Sequence, residues 1–260
     1  MTNIEIQVLN PEAIKEAEQM AIVAAKLTQH GHEIECLDDF MELYGSQVNA
    51  NMLLNLVKLP HPTLQKFSVI NVVVVGASRR FLAQITRHQN EVKFMSASLQ
   101  YSGYSGGSDF VIPYELLDKV LARRLYIQKC QSAMQTYKEM VNQGAGNDTA
   151  GYVAPQGLRN ILIISATPYQ WKHMIHQRTC RRNTDETRYV MLQIWRQLYN
   201  WSPWLFSNCG PFCMNGPCEE GRMGCKKPIN KLLTPLEILA EDFPILMKQE
   251  ADNENKNHGN

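Results

Sequence analysis

Apolar positions recur at helical spacing from residue 10 onward. Ile14, Ala17, Ala21, Ala24 and Ala25 share one face, with Asn10 as cap, Pro11 in the first turn and Gly31 as the stop. The run Val72-Val73-Val74-Val75, inside 66–75, reads as a buried strand that Gly76 breaks. Ser78 is placed to cap a helix carrying Phe81, Leu82 and Ile85 on one side. Ser102 to Ser108 reads as a flexible loop. Pro113 then opens a long amphipathic helix with Leu117, Val120, Leu121, Leu125, Met134 and Val141 on its face and Gly144 as its close. A second loop follows through Gly146, Asn147 and Asp148. Thr167-Pro168-Tyr169-Gln170 has the form of a capping box with proline at the first helical position. Asn183-Thr184-Asp185-Glu186 caps another helix, with Val190, Met191, Ile194, Trp195 and Leu198 inward.

Helices outnumber strand candidates, so the pattern predicts an α+β fold with helices packed on a small central β-sheet, not an alternating βαβ chain. No Gly-x-Gly-x-x-Gly follows a strand and no P-loop occurs, which argues against those two nucleotide sites. Residues 1–245 are expected to form one domain. The tail 246–260, polar from about Ala251, is expected to be disordered.

Composition narrows the class. The 260 residues are 44% hydrophobic and 20% charged, ordinary for a globular chain with a substantial core. A net charge of +1 provides no global field for nucleic acid or a membrane surface, so an anionic ligand needs local cations. No apolar run approaches the roughly 18 residues of a membrane span, and the first residues lack a signal-peptide pattern, so the expected location is the cytoplasm. Seven cysteines cannot all pair within one chain, and reduced thiols fit that location.

Three segments carry candidate chemistry. His30-Gly31-His32-Glu33 offers metal-ligand types, or else polar residues at a helix end facing the dipole and water. Gln84-Ile85-Thr86-Arg87-His88-Gln89, followed by Ser96-Ala97-Ser98-Leu99-Gln100-Tyr101-Ser102, combines a planar guanidinium with short hydroxyl donors, suited to phosphate and heterocycle binding. The stretch from His173 to Arg188 holds His173, His176, Arg178, Arg181, Arg182, Asp185, Glu186 and Arg188. Its arginines either bind an anion or pair with the neighbouring acids at the surface. Cys209, Cys213, Cys218 and Cys225 are enough thiols for a structural zinc, though their spacing is not a standard Cys-x2-Cys pair.

Taken in order, these segments resemble the flavin-dependent thymidylate synthase family. His30 to Glu33 resembles the family's His-Gly-His-Glu, and Gln84 to His88 its Arg-Gln-x-x-Arg-His-Arg segment. Ser98 and Tyr101 resemble the Ser and Tyr that follow. Ala166 to Arg188 resembles the helix that ends in the substrate arginine. The run from Cys209 to Gly221 looks like a cysteine-bearing tail of some members. The resemblance spans about residues 10 to 228, with an apparent insertion around 40 to 65.

The resemblance implies the family's fold, a homotetramer with ligands at subunit interfaces, and C5 methylation of dUMP to dTMP. It implies FAD as cofactor, NADPH as reductant and methylenetetrahydrofolate as one-carbon donor. No enzyme nucleophile attacks the ring in that chemistry, and Pro217-Cys218 followed by Glu219 departs from the Pro-Cys-His setting of conventional thymidylate synthases. Arg178 matches the arginine that favours ionisation of the pyrimidine. Gln84, Arg87, Ser96, Ser98, Leu99 and Gln100 match substrate-contacting positions, while Arg87, His88, Gln89 and His173 match flavin-contacting ones.

Departures from the family pattern are concentrated at charges. Gln89 replaces the triplet's last Arg, and Ser98-Leu99-Gln100 replaces a phosphate-binding Ser-Gly-Arg. Gly151 stands where a further substrate Arg is expected, and Thr167-Pro168-Tyr169 where Asn-Ala-Arg is. Each lost charge-assisted bond is worth about 1.5–3 kcal/mol. Lys93, Arg159, Arg181 and Arg182 are the candidates to compensate. The alternatives are action on another pyrimidine nucleotide, hydroxymethyl transfer, and a non-catalytic nucleotide- or zinc-binding module.

Overall fold

The computed structural model describes residues 3–104, 109–207 and 209–257, so residues 105–108 of the expected Ser102–Ser108 loop lie outside the described residues. Four strands, β1 (Glu5–Val8), β2 (Ile70–Ser78), β3 (Val92–Ser96) and β4 (Arg159–Ala166), form one antiparallel sheet in the order β1-β2-β4-β3. The helices are α1 (Glu12–His30), α2 (Leu37–Gly45), α3 (Ala50–Leu56), α4 (Arg79–Ile85), α5 (Val120–Asn142), α6 (Asn147–Gly151), α7 (Pro168–Arg178), α8 (Asp185–Trp201), α9 (Pro203–Phe206), α10 (Pro235–Asp242) and α11 (Pro244–Asn257). This is the expected α+β class.

Helix α8 lies against β1 and β2, and Val190, Met191, Ile194, Trp195 and Leu198 are fully buried, as their spacing predicts. Across the sheet, Ile70, Val72, Val74, Leu162, Ile164 and Ala166 face the same core. The valine run departs from the sequence reading. Val72 and Val74 are buried, but Val75 is exposed on the other face, so β2 is covered on one side only. Opposite it stand Ile161, paired with Val75, and Ile163, paired with Val73 and Met95. Ile161, Ile163 and Met95 are exposed too. Gly76 does not end the strand. Its φ of 85° makes a bulge between Val75 and Ala77, and the ladder continues to Ser78.

Caps are mostly where the sequence places them. The Ser78 hydroxyl accepts from Phe81 N and starts α4. Thr167 accepts from Gln170 N, with Pro168 at the first position of α7. Asn10 does something else: its side chain accepts from Asn71 N at 2.8 Å and donates to Val69 O at 2.9 Å, tying the start of β2 to α1. The segment around 40 to 65 forms α2 and α3, and Leu53 and Leu56 join the main core.

Several expectations fail for reasons of packing. Pro113 opens only a short 3-10 turn, and α5 begins at Val120. Val120, Leu121 and Leu125 are exposed, while Met134 and Tyr137 bury a second, smaller core with Ala150 and Leu158. The loop through Asn147 is the short helix α6. The tail is not disordered from residue 246: α11 runs to Asn257, because Leu246 is buried in the main core and Arg196 pairs with Glu250 at 2.7 Å.

Candidate functional site

Helix α7 runs from the end of β4, and the turn 86–91 leads from α4 into β3. Because Val92 pairs with Ala166, these two connections lie side by side. Between them opens a cleft of about 920 Å3 whose lining includes Arg87, His88, Gln89, His173, Gln177 and Arg178. The fold thus brings together all four proposed flavin-contacting positions and the proposed substrate arginine, from segments some 85 residues apart.

The cleft centres on one contact. Arg178 Nε donates to His88 Nε2 at 2.8 Å. His88 is buried, and its ring meets His173 edge-on at 5.7 Å. Burial, with the Arg178 and His173 charges beside it, brings the His88 pKa down to about 4. The imidazole is therefore neutral at neutral pH, and since Nε2 accepts, its proton sits on Nδ1. Burial and the nearby Arg87 lower the pKa of Arg178 too, yet a guanidinium keeps its charge. The arrangement fixes a half-buried cation by a neutral acceptor instead of a carboxylate. Its charge is left uncompensated by any anion of that pair and available to a ligand. Arg178 Nη1 reaches Asn183 Oδ1 at 3.5 Å, and Asn183 itself holds Gln177 O and Cys180 O.

Sequence reasoning missed Lys66, Tyr169 and Gln177 on the cleft wall. Lys66 pairs with Glu91 at 3.0 Å and lies 5.4 Å over the Tyr169 ring. The only local signal was Tyr169 in the α7 cap.

Other candidates are placed elsewhere. Gln84 does not line the cleft: its Oε1 accepts from the Thr184 hydroxyl at 3.0 Å and from Thr187, fastening α4 to α8. Ser96 ends β3, opposite Leu162 and about 13 Å along the strand from Val92 at 3.3 Å per residue, and Ser98, Leu99 and Gln100 follow that far end. Ser98 Oγ accepts from Gln100 N at 3.0 Å and Leu99 packs on the smaller core. His30 and His32 are exposed, with His30 3.0 Å from Glu33, as the polar helix-end reading expects. Three of the four compensating cations are already engaged: Arg159 with Asp109 at 2.7 Å, Arg181 with Asp242 at 2.8 Å, and Arg182 with Glu220 at 2.7 Å. Lys93 remains, exposed on β3.

All seven cysteines are free thiols. Cys209 separates from the zinc set proposed from sequence. It is fully buried in the main core, where burial pushes its thiol up to about 12. Cys213, Cys218 and Cys225 instead line a second cavity, of about 530 Å3, together with Cys180. Gln177 and Arg178 border both this cavity and the cleft. Behind the cleft, Lys172 of α7 is buried, with its pKa brought down to about 8 by desolvation.

One-sided antiparallel sheet, α8 against it and a cation- and imidazole-lined cleft at the sheet's end define the class of this α+β protein. The family described as "Thymidylate synthase complementing protein" matches residues 11–204, and the chain belongs to that family, the flavin-dependent thymidylate synthases. Among relatives, the flavin-dependent thymidylate synthase of Geobacter sulfurreducens is 26% identical over 193 residues, covering 74% of this chain and 82% of that protein. That of Clostridium tetani is 24% identical, covering 70% and 79%. The fold is shared with two crystal structures. One is a UMP/dUMP methylase, PolB, from Streptomyces cacaoi bound with 5-Br dUMP (TM-score 0.62, 13% identity, covering 79% of this chain and 94% of that one). The other is ThyX from Helicobacter pylori with FAD and dUMP (0.60, 15%, covering 79% and 98%). Among the described residues no helix is long and apolar enough to cross a membrane.

Proposed function

We propose that this chain methylates C5 of a pyrimidine nucleoside monophosphate, dUMP to dTMP, with FAD as cofactor, methylenetetrahydrofolate as carbon donor and NADPH as reductant. Family membership and the names of the relatives support the reaction class. The observation that carries the site is the 2.8 Å bond from Arg178 Nε to a neutral His88 beside a cleft of about 920 Å3. Held by its Nε, the guanidinium keeps donors free for a pyrimidine ring and steadies negative charge formed on it. The donor set of the cleft (Arg87, Gln89, Gln170, His173) suits a phosphate-bearing, hydrogen-bonding cofactor. When bound there, FAD supplies the hydride chemistry. The protein's part is to orient the two rings and exclude water.

A second copy completes this reading. The Ser96–Gln100 positions lie at the opposite end of β3 from the cleft of the same chain. The open sheet face (Val75, Ile161, Ile163, Met95) and Val120, Leu121 and Leu125 of α5 are apolar surfaces of the kind that bury between subunits. In a homotetramer built on these faces, one copy's 96–100 segment would lie near another's cleft. Lys93, on that open face, is then the cation positioned to replace the missing phosphate arginine. A dUMP soak that leaves the phosphate on Gln100 alone overturns the role of Lys93. If Ile161→Asp leaves the particle mass in solution unchanged, the sheet face is not the interface.

The decisive experiment is mass spectrometry of nucleotides after incubation with reduced flavin, methylenetetrahydrofolate and a panel of pyrimidine monophosphates. It separates dUMP methylation from action on another base and from hydroxymethyl transfer. Arg178→Ala is expected to retain flavin and lose turnover by two to three orders of magnitude, the usual effect of removing one charge-stabilising donor (about 10²–10³). Full activity in that variant refutes the assignment.

A further inference from the structure

The cavity behind Arg178 has walls that the reaction above does not use. Cys180 comes from the turn between α7 and α8, whereas Cys213, Cys218 and Cys225 come from the irregular stretch 209–229. We propose that Cys180, Cys213, Cys218 and Cys225 form a tetrathiolate metal centre, taking a zinc ion or an iron–sulfur cluster, that clips this stretch to the start of α8.

Four features support it. First, the set is exact in number for either group, and four thiols on one cavity of about 530 Å3 leave room for an ion or a cluster. Second, two of the sulfurs already accept backbone hydrogen bonds, Cys225 Sγ from Lys227 N at 3.4 Å and Cys213 Sγ from Ile229 N at 3.3 Å. Such N–H donors stabilise thiolate over thiol and tune metal–sulfur centres. Lys226, in the left-handed region at φ 60°, makes the tight turn that aims Lys227 N back at Cys225. A Cβ at Gly224 would stand 3.2 Å from Cys218 Sγ, so the chain passes close by that sulfur.

Third, four thiolates around a divalent ion carry two negative charges, and the lining holds four cations, Arg178, Arg181, Arg182 and Lys227, against two carboxylates, Glu219 and Glu220, with Arg181 paired to Asp242 and Arg182 to Glu220. Fourth, among the described residues the regular elements of the stretch are the short 3-10 turns Phe212–Met214 and Gly221–Met223, and it is also held by Cys209, Met214 and Ile229 in the main core and by the His176–Gly210 and Arg181–Lys227 hydrogen bonds. A cross-link supplies the order that so little regular hydrogen bonding cannot. Among the described residues no three metal-ligating side chains meet at one point, so binding a metal requires the four thiols to draw together. Each thiol gives its proton to solvent on ligation, including Cys180, whose proton burial otherwise retains.

The test uses the full-length chain, purified without oxygen from cells supplied with iron and zinc. Zinc, iron and acid-labile sulfide are quantified per chain. X-ray absorption at the bound metal's edge then reads its ligands. The expected result is either about one zinc with only sulfur neighbours near 2.3 Å, or iron with matching labile sulfide and the visible absorption of a cluster. Sulfide distinguishes the two. Cys180→Ser and Cys218→Ser are expected to lose at least four-fifths of the metal, and Cys209→Ala to keep it. Less than a tenth of an equivalent of either metal in the wild type overturns the proposal. So does a nitrogen or oxygen ligand shell, a Cys180→Ser variant with undiminished metal, or a Cys180 or Cys218 locked in a disulfide. The wild-type absorption measurement decides the question even if the serine variants do not fold.

Discussion

Replacing Lys172 by methionine tests how the helix carrying the cleft is built. The side chain is 8% exposed, and among the described residues it has no acidic partner. Its only opposing influence is the Cys209 thiol, itself fully buried. Desolvation brings the ammonium from 10.5 down to about 8. At about 1.4 kcal/mol per pH unit, that gap sets a ceiling of about 3 kcal/mol on what the buried charge costs the native state. Between pH 8 and 10.5 the unfolded chain keeps this proton and the native chain has shed it. The unfolded state therefore binds more protons, and the lysine's contribution to stability rises with pH across that window. Below pH 8 both states are charged and the whole penalty is present. Lys172→Met, close to the same volume, is expected to raise stability at pH 7 by up to about 3 kcal/mol, with the gain shrinking toward zero by pH 10.5. Urea unfolding of both proteins at pH 7 and pH 10 measures it. A methionine variant less stable at pH 7, or a gain equal at the two pH values, refutes the reasoning and means the ammonium is paired in solution.

Asp242 is the shared partner of Arg181 and the buried Arg188. Asp242→Ala leaves the buried Arg188 with the longer 3.7 Å contact to Asp185 as its carboxylate partner and is expected to cost about 3–5 kcal/mol; a loss under about 1 kcal/mol by urea unfolding contradicts the pairing. Ser78 caps α4 and donates to the half-buried Glu186 carboxylate, whose second oxygen accepts from Ser78 N at 2.6 Å. Ser78→Ala is expected to lose about 1–3 kcal/mol, and a fall in Tm too small to measure would show that water replaces the hydroxyl. His88 titrates near 4, so its imidazole NMR signals are expected to be flat from pH 5.5 to 8. Between pH 6.5 and 4 the unfolded chain binds this proton and the native chain does not, so His88's contribution to stability falls as the pH drops through that window. In Arg178→Ala the midpoint rises but stays under 6.5, because burial is the larger cause. A wild-type midpoint near 6.5 removes the neutral acceptor from the site.

What the sequence determined by itself is local. The buried face of α8, the Ser78 and Thr167 caps and the glycine closing α5 all depend on residues within one or two turns of each other. Their physics is complete in the segment. Arg87, His88, His173 and Arg178 were found through motif order, but their meeting depends on Val92 pairing with Ala166. Lys66 and Gln177 had no signal, since neither sits in a pattern that differs from a solvated residue. Tertiary structure alone decided the remaining points. Alternation cannot say whether the second face of β2 is covered, because a run of four valines fits a strand buried on one side or both. The bonds of Asn10 to Val69 and Asn71 exist only once β2 lies beside the start of α1. The same holds for the thiols. Cys209 is nearest in sequence to its neighbours yet turns into the core, and Cys180 reaches their cavity through chain folding. Proximity along a chain is cheap to read, whereas proximity across it depends on which apolar faces have already found each other.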